Sequence, residues 1–158
     1  MSDASIRTSA FTHGESIPEK YTCEGEDVSP ELTLADVPED AAALAVVVDD
    51  PDAPAGTFTH WLCWNLPADT VEIPEDVPAL AEVPDLGCAR QGENDFGDVG
   101  YRGPCPPEGD DPHEYRFTLH VLDEELGADA GAVRTAVQDE LDAKTRAVDR
   151  FTGTFSRE

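Results

Sequence analysis

Positive charge is scarce in this sequence. Lysine occurs only at positions 20 and 144, and ten Lys and Arg residues stand against 35 Asp and Glu, a formal net charge of −25 over 158 residues. That deficit excludes non-specific binding to nucleic acid or to an anionic membrane surface, because both are polyanions and bind through counterion release to cationic surfaces. Any anion that binds must be met locally, by a few placed donors. The acidic residues are spread along the chain rather than gathered in a tail, which reads as a surface adapted to a molar-salt cytosol. There the Debye length falls to about 3 Å and repulsion between carboxylates is largely screened. The apolar run Ala41–Val48 and the aromatic segment Phe58–Leu66 argue against disorder.

Other absences narrow the class further. No run approaches the roughly 18 apolar residues of a membrane span. No N-terminal stretch pairs a basic region with an apolar core and a small-residue cleavage site. A soluble, cytoplasmic protein with no membrane insertion is expected. Cys23, Cys63, Cys88 and Cys105 lack CxxC spacing or a paired His arrangement, so neither a zinc site nor a redox motif is signalled. Free thiols are the default for such a chain, with a pairing of Cys23 to Cys88 or Cys105 left open. There is no internal repeat and no G-x-S-x-G, H-E-x-x-H or P-loop, so no catalytic residue, resident metal or cofactor is called for.

What is present is the punctuation of a β-rich fold. Thirteen prolines and twelve glycines separate short apolar segments, and strands are expected at Ile6–Phe11, Glu31–Leu34, Ala43–Val48, Thr59–Leu66, Tyr115–Leu122 and Ala147–Ser156. Between Asp129 and Arg146 the period changes. Val133, Val137 and Leu141 recur every four residues, which predicts a peripheral helix near 129–146, with Asp129 suited to its N-terminal dipole. The acidic stretch Glu72–Asp85 reads as a long surface connection, since too little chain lies on either side for two cores. The expected architecture is one mainly β domain over 1–158, an antiparallel β-sandwich with that helix at its edge.

Three segments carry polar groups that sit oddly beside apolar strands. In Val46-Val47-Val48-Asp49-Asp50-Pro51-Asp52-Ala53-Pro54 a buried-looking strand runs into three carboxylates on a loop stiffened by two prolines. In Phe58-Thr59-His60-Trp61-Leu62-Cys63-Trp64, alternation places Phe58, His60, Leu62 and Trp64 on one sheet face. Third, Gly103-Pro104-Cys105-Pro106-Pro107 precedes His113-Glu114-Tyr115-Arg116-Phe117, where His113, Tyr115 and Phe117 share parity. His120 has the opposite parity and His13 falls in a turn, so both are read as structural. If these loops converge, an Asp can fix a His ring through one nitrogen while the other, protonated, donates to an anion. Tyr115 can add a hydroxyl donor, and loop amides a small nest.

The Asp50-Pro51-Asp52-Ala53-Pro54 loop, His60-Trp61, Gly103-Pro104-Cys105-Pro106-Pro107 and His113-x-Tyr115 occur in the order and approximate spacing of the phosphatidylethanolamine-binding proteins. Tyr21-Thr22-Cys23-Glu24-Gly25 followed by Ser29-Pro30 adds to the likeness. The sequence most resembles the bacterial and archaeal branch described as Raf kinase inhibitor-like. The resemblance covers almost the whole chain and implies a large antiparallel sheet packed on a smaller one. It also implies a pocket for phosphate, acetate or a phosphoryl head group, built from Asp50, Asp52, His60, Pro107, His113 and Tyr115 with Gly103 and Cys105 in its wall. A homodimer is one assembly that the resemblance implies, and a protein partner is another. The chain differs from animal members in the Cys of its Gly-Pro-Cys-Pro-Pro loop and in lacking their extra C-terminal helix, so lipid binding and direct kinase inhibition are not carried over.

The leading expectation is a module that recognises a small anion or phosphorylated ligand, with regulation of a kinase or other signalling partner as its purpose. A second is inhibition of a protease or other enzyme through the loop Glu72–Asp85 or Gly92–Val99. A third is a metal enzyme, since two His and one carboxylate form a known iron ligand set.

Overall fold

The apolar run Ala43–Val48 becomes the central strand of the molecule. In the computed structural model, which describes residues 4–54 and 56–157, this strand is β3 (Ala43–Asp50), and every residue in it is buried. A strand covered on both faces has no need to alternate apolar with polar residues, and this one does not until its last two positions. Positions 1–3, 55 and 158 of the expected single domain lie outside the described residues.

Two antiparallel sheets are built around it. The large sheet comprises β6 (Glu82–Val83), β7 (Ala89–Gln91), β4 (Phe58–Leu66), β3, β8 (His113–Leu122) and β9 (Thr145–Phe155), in that order. The small sheet orders β1 (Ser5–Arg7), β2 (Leu32–Ala35) and β5 (Glu72–Ile73). Leu44, Val46 and Val48 of β3 and Phe117, Leu119 and Val121 of β8 face Ile6, Leu32, Leu34 and Ile73 across the inter-sheet core. Ala43, Ala45 and Val47 point the other way, toward the helix α1 (Arg134–Lys144), meeting Val137 and Leu141 there. The mainly β fold with a smaller and a larger sheet and one helix near the C-terminus is as the sequence implies.

Besides β1, which ends at Arg7 where a strand to Phe11 was expected, three features depart from the expectation. The helix starts at Arg134, not near 129; Gly131 adopts φ 87°, a turn conformation, and Val133 is its extended N-cap, 48% exposed, leaving Val137 and Leu141 as the buried stripe. The stretch Glu72–Asp85 is tied to the small sheet by β5 and to the large sheet by β6. Buried Gln91 secures it further, donating to the carbonyls of Pro78 and Leu80 while accepting from Trp61 Nε1. Such two-residue strands have no periodicity to read; they exist because their partners are in place. The third departure is covalent: Cys23 and Cys105 form a disulfide with Cα atoms 5.4 Å apart, correcting the free-thiol default for that pair. Only Cys63, buried, and Cys88, exposed, are free thiols.

Candidate functional site

The pocket is built where β3, β4 and β8 end together. Parity places Asp50 on the inter-sheet face and Asp49 on the helix face. Likewise β8 sends His113 and Tyr115 inward, in line with Phe117. On β4 simple alternation fails. Val48 pairs with Trp61 but Asp49 pairs with Thr59, so one step on β3 is matched by two on β4. This β-bulge re-aims the strand: Leu62 and Trp64 belong to the helix-side core, whereas His60 and Phe58 open into the pocket. The expectation that all four share one face is corrected by that single extra residue.

The result is a cavity of about 160 Å³ whose wall includes Asp50, His60, Cys105, Pro107, His113 and Tyr115. Two other residues expected in the site do not line it. Asp52 points to an adjacent surface concavity and accepts from the Glu114 amide at 3.0 Å, tying the β3–β4 loop to β8. Gly103 packs against the chain at Tyr21, where an added Cβ would stand 1.9 Å from the carbonyl oxygen; it must be glycine for the two loops to meet. The disulfide and the Tyr101 hydroxyl, which donates to the Tyr21 carbonyl at 2.7 Å, hold the same junction. Ala53, Pro54, Phe58, Phe96 and Pro106 complete the wall. Phe58 was legible through its parity with His60, but Phe96 comes from the loop after β7 and is held by Arg102, whose guanidinium lies 5.1 Å from its ring centroid.

The two pocket histidines are in opposite states. His113 donates from Nδ1 to Asp50 at 2.7 Å and from Nε2 to Asp110 at 3.1 Å. With a carboxylate accepting at each ring nitrogen, both nitrogens carry protons and the ring is an imidazolium below its raised pKa. Burial alone pulls its pKa down, but the hydrogen bonds and charges of Asp50 and Asp110 outweigh that and hold it above the ordinary value. His60 donates from Nδ1 to the Arg102 carbonyl at 2.7 Å. Burial lowers its pKa, and the backbone bond and distant carboxylates do not offset this. It is therefore a neutral ring whose Nε2 is an acceptor and not the protonated donor that converging loops were expected to offer. Burial, reinforced by the charges of Asp50 and Asp52, keeps the Tyr115 phenol protonated. Among the described residues no partner is recorded for its hydroxyl, which opens on the cavity.

The site thus offers an imidazolium, a phenol donor and one imidazole acceptor against an apolar wall. His13 and His120 lie elsewhere, the first accepting from the Thr152 amide and the second bonded to the Thr145 hydroxyl. Among the described residues no group of three or more His, Cys, Asp or Glu is arranged to hold a metal ion, and no helix is long and apolar enough to cross a membrane.

Sheet order, bulge and pocket define a two-sheet antiparallel β protein with a recessed polar site at the strand ends. The family model described as phosphatidylethanolamine-binding protein matches residues 7–156, and the chain belongs to that family. It is 45% identical over 150 residues to a UPF0098 protein of Pyrococcus abyssi, covering 95% of this chain and 84% of that protein. Among solved structures, it is similar to YbcL of E. coli, described as a member of the mammalian PEBP family, with TM-score 0.89 and 33% identity over 99% of both chains. A putative phosphatidylethanolamine-binding protein homolog of Chlamydia trachomatis is likewise similar, with TM-score 0.86 and 32% identity over 100% of both chains.

Proposed function

We propose that the pocket binds a small anion, with a phosphoryl group as its preferred ligand, and that the protein acts as a recognition module rather than a catalyst. The observation that carries this reading is His113, buried and bonded through both ring nitrogens to carboxylates, beside the Tyr115 hydroxyl, which has no partner among the described residues. Two donors, one of them charged, suit an oxyanion in a site that water reaches poorly. The family's description names a phosphorylated lipid, and the phosphoryl group is the part of such a molecule that an imidazolium recognises. Among the described residues of the pocket no nucleophile is paired with a general base: His60 is tied through Nδ1 to a backbone carbonyl and both ring nitrogens of His113 are taken by carboxylates.

His60 refines the ligand. With no proton on Nε2, it suits a protonated phosphoryl oxygen, which donates to it while an ionised oxygen meets His113. The bearer of that group is a phosphorylated small molecule or a phosphorylated side chain of a protein this module regulates. Calorimetric titration of phosphate in molar KCl tests the reading. Saturable binding in the wild type that is lost in His113→Ala supports it, and no binding to the folded wild type overturns it.

A further inference from the structure

His113 Nδ1 is held by Asp50, so an anion that accepts a hydrogen bond from this ring must take it from Nε2, yet that nitrogen is already engaged. Its acceptor is Asp110 Oδ2 at 3.1 Å, a carboxylate that is itself 41% exposed and held by no core packing. We infer that Asp110 is an internal competitor for the anion: it occupies the position on His113 that the ligand's oxygen takes, and must swing away before the pocket fills. The inference rests on the anion-binding reading above.

The loop is built for this placement. Pro107 to Asp110 form a tight turn in which the Asp110 amide donates to the Pro107 carbonyl at 3.3 Å. Gly109 is its third residue at φ 85°, the left-handed conformation such a turn demands there. Before the turn the chain is anchored by the Cys23–Cys105 disulfide. At the turn itself Arg157 donates to the Pro106 carbonyl, and its own carbonyl accepts from the Gly109 amide. Residues 107–112 are all exposed. A firmly held base therefore carries a solvent-facing tip, and opening breaks the bond between Asp110 and His113.

The contact sets selectivity. A tethered carboxylate acts at a high effective concentration, so an anion that offers one contact does not displace it. An oxyanion that also engages Tyr115 and His60 gains the further bonds needed. Asp52, Asp110 and Asp111 line the same adjoining concavity, and of the three only Asp110 bonds His113, which makes Asp111 the control for charge alone.

The test compares phosphate affinity of wild type, Asp110→Ala, Asp111→Ala and His113→Ala by calorimetry at one fixed salt concentration. The expected result is about tenfold tighter binding in Asp110→Ala, corresponding to a wild-type pocket open about a tenth of the time, with Asp111→Ala within twofold of wild type. Unchanged or weaker binding in Asp110→Ala overturns the inference while loss in His113→Ala leaves the anion reading standing. Equal gains in both Asp variants also overturn it, assigning the effect to diffuse charge. No binding in any folded variant overturns both readings together.

Discussion

Asp49 and Asp50 are consecutive residues that serve opposite faces of the large sheet. Asp49 accepts from Arg116 Nε at 2.8 Å and from both terminal nitrogens of Arg134 at 3.3 Å, joining β3 and β8 to the first turn of α1. Asp50 accepts from His113 at 2.7 Å and orients the pocket. Ion pairing that holds the fold and ion pairing that prepares the site are thus one peptide bond apart, on the strand buried from both sides.

These roles should separate by mutation. Asp49→Ala is expected to lower unfolding stability by about 2 kcal/mol, less than for a fully buried pair because both arginines reach solvent, and to leave phosphate affinity near wild type. Asp50→Asn should do the reverse, weakening phosphate binding about tenfold, the size of one charged hydrogen bond of roughly 1.5 kcal/mol. Denaturant melts and calorimetry on both variants check this.

The titration of the histidines should split about the ordinary value. Ring resonances followed by NMR are expected to place His113 above 6.5 and His60 below it, and Asp50→Asn should bring His113 down.

Acid stability has a separate source in His120, whose pKa is lowered to about 4 by burial and then by Arg134 and Arg150. The unfolded chain takes up this proton near pH 6.5, before the folded one does, so stability is lost as pH falls from 6.5 toward 4. At about 1.4 kcal/mol per unit and discounted for partial exposure, the loss should be about 2 kcal/mol and largely absent in His120→Gln. His113, with its raised pKa, contributes in the opposite sense: its stabilisation is complete below pH 6.5 and fades as pH rises through its folded value.

Sulfate should bind at least about tenfold more weakly than phosphate near pH 6. It has no proton to give His60 Nε2, and an unmatched buried polar group costs about 1–3 kcal/mol. Equal affinities would remove the role assigned to that nitrogen.

Salt should stabilise the fold. Raising KCl from about 0.1 to 2 M screens carboxylates beyond a few ångströms, and a rise in Tm of about 10 °C is expected, equivalent to a few kcal/mol for a chain of this size. A flat or falling Tm would count against a surface adapted to molar salt.

Much of this was readable from particular residues. Ala43–Val48 announced a doubly buried strand because it is apolar without alternation, and His113-x-Tyr115-x-Phe117 announced an inward row because alternation there is unbroken. The neutral state of His60 was not readable, since the Arg102 carbonyl that fixes its tautomer is 42 residues away. Nor was the bulge beside it, which depends on how β4 registers against β3. Phe96 reaches the pocket, and Asp110 reaches His113, from loops that carry no period. The Cys23–Cys105 bond was one of two pairings left open, and only the meeting of the two loops decides between them.

That bond, spanning 82 positions, also determines how the molecule meets a pulling force. Tension applied between the two ends would pass through the sulfurs and bypass the enclosed chain, including β2 to β7. Only β1, β8, β9, the helix and the short segments beside them would be drawn out. Reduction would release a further length of about 280 Å at roughly 3.4 Å per residue, so the pocket, whose floor draws on both portions, would be broken open in either case, while β3 and β4, two of its three strands, stayed shielded from the pull in one of them.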